Sequence, residues 1–188
     1  MPNTSQCANL EDYLVGEQCT ENFAGMSETV YVFERNKLNT GALTASNETY
    51  TMSAKPFKTG GRLYKFECKR ESQQIQGESQ GQRRGFVVTH NFVLEAVDAA
   101  TARIARALNN LDLGYIMVGS GGEIQILYDP YRKCQIESGG LTTDTGAAAS
   151  DDRQTSVAVK LGPISYPNLF LNADAVEGGL DSLMAPAA

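Results

Sequence analysis

Tryptophan is absent from this 188-residue chain, and histidine occurs once, at His90. A serine or cysteine nucleophile needs a base within hydrogen-bond reach, so any Ser–His or Cys–His pair must use that one imidazole. His90 lies mid-strand among apolar residues in GFVVTHNFVLE, the setting of a core or interface histidine, and nothing supports pairing it with Cys68 or Cys134. Cysteine is scarce as well. Cys7, Cys19, Cys68 and Cys134 form no Cys-x-x-Cys pair, and one histidine does not complete a zinc set, so neither a metal nor a cofactor is expected. Free thiols are the expectation; if a pair were oxidised, Cys7 with Cys19 would be the local choice. The carboxylate pairs Glu11–Asp12 and Asp151–Asp152 stand in loop-like contexts, where solvation is the default. No catalytic residue is assigned.

Long apolar runs are missing too. Nowhere do about 18 apolar residues follow one another, and no signal-like apolar core follows Met1. A product soluble in the cell that makes it is expected, with no membrane partner. Cations are the minority: 16 Lys and Arg against 22 Asp and Glu leave a net charge of −6. Tight nucleic-acid binding across the whole surface is disfavoured, because it draws on Lys and Arg neutralising phosphates. The balance suits a surface that must not hold nucleic acid.

What the chain does contain is glycine, 18 residues of it, and short apolar alternations, in a length that suits one domain. In Gly85 to Glu95, Phe86, Val88, Phe92 and Leu94 fall on one face, with His90 among them, and Val87, Thr89 and Val93 on the other; this strand is expected to be covered on both sides. The next segment predicts one amphipathic helix from about Asp98 to Leu111. Ala100, Ile104, Ala107, Leu108 and Leu111 form its apolar stripe, Asp98 its N-cap, and Gly114 closes its far end. GYIMV and EIQILYD then make a hairpin around the turn Gly119 to Gly122, whose glycines lack dinucleotide spacing and precede a strand instead of a helix.

Further strands are expected at Glu28–Glu34, Glu48–Ser53, Arg62–Lys69 and Thr155–Leu161, with Tyr131–Ser138 continuing the meander. The connection Arg35 to Asn47 is turn-rich, and Gly139 to Asp152 reads as a mobile surface loop. The total is about seven to nine strands and one helix. Residues 1–27 and 163–188 show no period and read as arms flanking a domain at 28–162. The second arm carries Ile164, Tyr166, Leu169, Phe170 and Leu171, which pack on their own domain or on a partner.

ESQQIQGESQGQRR, Glu71 to Arg84, has one aliphatic residue in fourteen. It is either a solvated hairpin loop or a polar strand pair facing a water-filled space in an assembly, its backbone bonds completed by neighbours. Lys69–Arg70 and Arg83–Arg84 flank it, as a solvated edge or as partners for acidic residues of a neighbouring subunit.

The order of these pieces resembles the tail tube, or major tail, proteins of tailed bacteriophages, most closely the tail-tube-like proteins of Bacteroides-type phages and prophages. The resemblance rests on QCTENFAGMSETVYVFE, RLYKFECKRES, FVVTHNFVLEAVDAATARIARALNNL, the Gly-rich hairpin, GGLTTDTG and ISYPNLF. It implies a mainly β fold, a curled β-sandwich or barrel flanked by the helix. It also implies a non-enzymatic virion protein, made in the host bacterial cytoplasm, whose stacked, hexameric rings form the tail tube. Its partners would be itself, other tail proteins and passing double-stranded DNA that is not tightly bound. On that basis Glu67, Glu71, Gln73, Gln76, Glu78 and Gln80 are candidates for the lumen lining. Lys69, Arg70, Arg83, Arg84, Tyr166, Leu169 and Phe170 are candidates for inter-subunit contacts. A head–tail connector, tail terminator or capsid-associated protein is the alternative, and a cytoplasmic ligand-binding β-barrel a more distant one, which would need an apolar pocket.

Overall fold

A computed structural model describes residues 25–81, 85–148 and 151–187. β1 (Met26–Glu34) buries Val30, Tyr31, Val32 and Phe33 in succession, as a strand covered on both faces must. It is followed by β2 (Leu43–Ser46), β3 (Thr49–Met52), β4 (Tyr64–Glu67), β5 (Gln74–Ser79) and β6 (Phe86–Leu94). The helix α1 (Ala99–Asn110) leads to β7 (Leu113–Gly119), β8 (Ile124–Leu127), β9 (Gln135–Asp144), β10 (Gln154–Ile164) and β11 (Phe170–Asn172). One sheet has the order β2-β3-β11-β8-β7-β1-β4 and the other β5-β6-β10-β9, with β3 and β11 the parallel pair. The result is mainly β and sandwich-like, with eleven strands among the described residues; the sheets do not close into a barrel.

The two sheets meet through period-2 alternation. On β6, Val88, His90, Phe92 and Leu94 turn inward beside Leu161, Val159, Val157 and Thr155 of β10. Tyr115 of β7 answers them from the larger sheet, its ring 6.4 Å from Phe92 and 6.2 Å from His90. Phe33, Phe57, Tyr50 and Tyr128 form a second aromatic group. The outer side of β6, Val87, Thr89, Asn91 and Val93, is only half-buried. The expected cover on both sides is therefore not supplied by the described residues.

Asp98 caps α1 as its position predicts, in a reciprocal box with Thr101. The buried stripe lies on Ala105 and Leu108, with Thr101 and Ile104 half-buried, while Ala100 is exposed and Leu111 is 48% exposed. Gly114 does not close the helix. It lies inside β7, where a Cβ would stand 2.3 Å from the Phe33 ring, so its role is to let that ring through.

Three short strands exceed the expected number, β2, β5 and β11, and all are too short or too polar to show a period. Gly139 to Asp144 is strand, not mobile loop. β9 continues through it by a register shift against β10, with Gly139 at φ +80°, and both of its faces are largely exposed. Nor is 163–187 an arm. Gly77 lies so close to Pro167 that a Cβ would meet the Pro167 carbonyl at 2.4 Å, and the chain then enters the larger sheet as β11. Leu169, Leu171, Val176 and Leu180 are buried, and the Leu63 and Ala187 amides donate to Leu183 and Gly61. Cys68 is free and buried, Cys134 is free and half-buried, and Cys7 and Cys19 lie outside the described residues.

Gly114→Ala should lower stability by about 1–3 kcal/mol through overpacking against Phe33. In urea unfolding, Phe33→Leu in the same chain should recover part of that loss; strictly additive effects would mean that the ring is not the obstacle.

Candidate functional site: the outward face of the four-stranded sheet

The same alternation that sends His90 and Phe92 inward sends polar residues outward. Opposite pairs on antiparallel strands share a face, so Gln74, Gln76 and Glu78 of β5 stand beside Asn91, Thr89 and Val87 of β6. Lys160, Ala158, Ser156 and Gln154 of β10 continue the surface to Gln135, Glu137, Thr142 and Asp144 of β9. Lys160 is the sole cation on this face among the described residues, and its Nζ lies 2.8 Å from the Glu137 carboxylate. The surface is thus amide- and hydroxyl-rich with a slight excess of negative charge. Among the described residues β5 ends the sheet on one side, with no strand beyond it, while β9 ends the other side with α1 packed against it.

Of the candidate lining residues, this face holds Gln76 and Glu78. Gln80 is exposed in the turn just beyond, its amide bonded to the Gly85 carbonyl. Glu67 is exposed at the end of β4 in the other sheet, and Glu71 is exposed in a turn at φ +57°. Gln73 is a correction: it is 7% exposed, donates to the Ser27 carbonyl and lies 3.3 Å from His90 Nε2 through its Oε1. A glutamine among glutamines hides its burial, because only the tertiary position of His90 requires it. Missed by the sequence reading were Gln74, Thr89, Asn91, Lys160 and Glu137. The signal available was that every second residue of β10, and Thr89 and Asn91 in the middle of β6, is polar or small.

The candidate contact residues are divided. Lys69 is half-buried and pairs with Asp152 at 2.5 Å within the chain, whereas Arg70 is exposed and loosely placed, 3.9 Å from Glu28 and Glu71. Leu169 is turned into its own core, Tyr166 and Phe170 are half-buried beside it, and Arg83 and Arg84 lie outside the described residues.

His90 is wholly buried, with its Nδ1 lacking a partner among the described residues. Burial lowers its pKa to about 3, and burial raises the Cys68 and Cys134 thiols to about 12. A neutral imidazole bonded to an amide, and thiols that burial keeps protonated, have the properties of core residues, not of a base and a nucleophile. Among the described residues no group of three or more His, Cys, Asp and Glu side chains is placed to hold a metal, and no helix is long and apolar enough to cross a membrane. Comparison of the chain with protein-family models, with curated proteins and with solved structures finds no match in any of the three.

The buried histidine gives a pH dependence with a definite sign. Above pH 6.5 both states are neutral at this site; between 6.5 and about 3 only the unfolded chain takes up the proton. Stability therefore falls through that window by up to roughly 1.4 kcal/mol per pH unit. His90→Phe should be the less stable protein at pH 7, by about 1–3 kcal/mol for the stranded Gln73 amide. Urea titrations of both proteins should show the gap closing toward pH 4, and a constant gap would mean that His90 does not titrate as its burial requires.

Proposed function

We propose that this chain is a non-enzymatic structural subunit of a bacteriophage tail tube. In this reading identical copies close into rings, hexameric by the family resemblance, with the four-stranded sheets forming the inner wall and the rings stacking into a conduit for DNA in the virion tail. Other tail proteins would meet the ends of the tube. The observation that carries the reading is the outward face of β5, β6, β10 and β9, polar apart from Val87, Val93 and Ala158, its one lysine neutralised by Glu137. A wall past which a polyanion slides must withhold free Lys and Arg, since each phosphate contact adds affinity. The edge of β5, which no described strand covers, supplies the second requirement, because its backbone groups are completed when β9 of a neighbouring copy lies alongside, and ring closure leaves neither edge of the smaller sheet exposed. A ligand-binding barrel draws less support: the sheets do not close, and a cleft of about 550 Å³ is lined mostly by polar side chains such as Glu71, Gln74, Asn91 and Gln125.

Negative-stain microscopy of the purified protein at high concentration should show tubes. Single closed rings would favour the connector or terminator role, and dispersed monomers at every concentration would refute both. In the assembled tube, Gln76→Lys combined with Glu78→Lys should create salt-dependent retention of linear double-stranded DNA that the native tube lacks, read by co-sedimentation at low and high salt. Equal, negligible retention by both would remove this face from the lumen.

A further inference from the structure

Two large apolar side chains are notably exposed among the described residues, Tyr131 at 93% and Leu111 at 48%, and both stand at the same end of the sandwich. Arg35 joins their surroundings. Its amide donates to the Asp112 carbonyl, while its guanidinium donates to Asp112 Oδ1 and to the carbonyls of Asp129, Pro130 and Arg132, with the Tyr128 ring 5.3 Å away. Asp129 Oδ1 in turn accepts from the Tyr131 and Arg132 amides. The loop 129–133 is therefore fixed from beneath while its tyrosine projects into solvent. A rigid aromatic with few torsions left to freeze is the kind of group that carries binding energy at protein interfaces.

The charge of this end has a counterpart. Lys37, Lys55, Lys58, Arg132 and Lys133 gather here and outnumber Glu34, Asp112 and Asp129. At the other end of β1 and β7, about 20 Å away along seven residues of strand, Glu71 and Glu123 line the 550 Å³ cleft, while Glu28 and Glu71 flank Arg70 in a neighbouring hollow. Met26 and Ile75 give that cleft an apolar wall, and Gln125 and Asn168 give it amide groups. A tyrosine ring with a hydroxyl at its tip matches both.

We propose that Tyr131 of one copy docks in the cleft between Glu71 and Glu123 of a second copy, with Arg132 and Lys133 meeting those carboxylates. The contact is head-to-tail, so it propagates instead of closing on itself. It deepens the tube reading by assigning the contact between stacked rings, and rests on that reading for the ring but not for the contact.

Two variants separate the possibilities: Arg132→Glu with Lys133→Glu, and Glu71→Lys with Glu123→Lys. Each alone should fail to stack in light scattering and microscopy. A one-to-one mixture should stack again, because each altered end then meets its complement, and this recovery also shows that both variants fold. Tyr131→Ala should weaken stacking about 30-fold. Open head-to-tail fibres without rings, sensitive to the same changes, would uphold the docking and refute the ring. Rings that stack regardless of all three changes would overturn the docking and leave the tube standing, as would occupation of the cleft by residues preceding Gly25. A native chain that never stacks overturns the docking as well.

Discussion

Phe92 and His90 on β6 face Tyr115 on β7, and the position of every outward residue on the smaller sheet follows from that contact. A strand has two faces, and the inward one is committed by aromatic packing, so Thr89 and Asn91 have no other place to go. Slipping β6 by one residue would bury two polar side chains and expose Phe92. Register is thus held by the core, and the polar outward face is its obligatory complement. His90 accepts an unusual condition for the same reason: neutral, bonded to Gln73, and enclosed by rings.

The larger sheet does a different job. Its strands bury unbroken runs, Val30 to Phe33 on β1 and Leu113 to Met117 on β7, and the C-terminal stretch crosses from β10 past Gly77 to add β11 before the Leu183 carbonyl seals the edge by accepting from the Leu63 amide. Tyr31 extends this seal by donating to Asp181 at 2.8 Å. Among the described residues the larger sheet ends at β2 and β4, and the smaller one ends at β9 and at an exposed, polar β5. An edge of this kind would give the proposed self-association a physical motive, because a free edge with no apolar face gains backbone bonds by pairing and loses little by being wet until then.

Much of this was legible in the residues. β6 and α1 could be read because their apolar residues recur at periods of two and about three and a half, and Asp98 announces its cap as a carboxylate placed to accept from the free amides of the first turn. β5 was visible as an anomaly, though its partner was not, because a strand without apolar residues carries no signal of where it pairs. β9 escaped beyond Ser138 since Gly139 and Gly140 look like a turn, and only pairing with β10 straightens them into a bulged strand. The C-terminal segment was misjudged for the opposite reason: Leu169, Leu171, Val176 and Leu180 are buried by different neighbours in succession, so no single period relates them. Gln73 and Glu78 are chemically close, yet one lies under the sheet against His90 and the other on its outward face; composition does not separate them, position relative to His90 does.

The central claim is that β5 is an incomplete edge awaiting another copy. Hydrogen–deuterium exchange over Gln74–Ser79 addresses it most directly. At high dilution, the β5 amides not bonded to β6 should exchange quickly, and they should become strongly protected at concentrations where the chain assembles. Equal exchange in both conditions, or full protection in the dilute chain, would contradict the account.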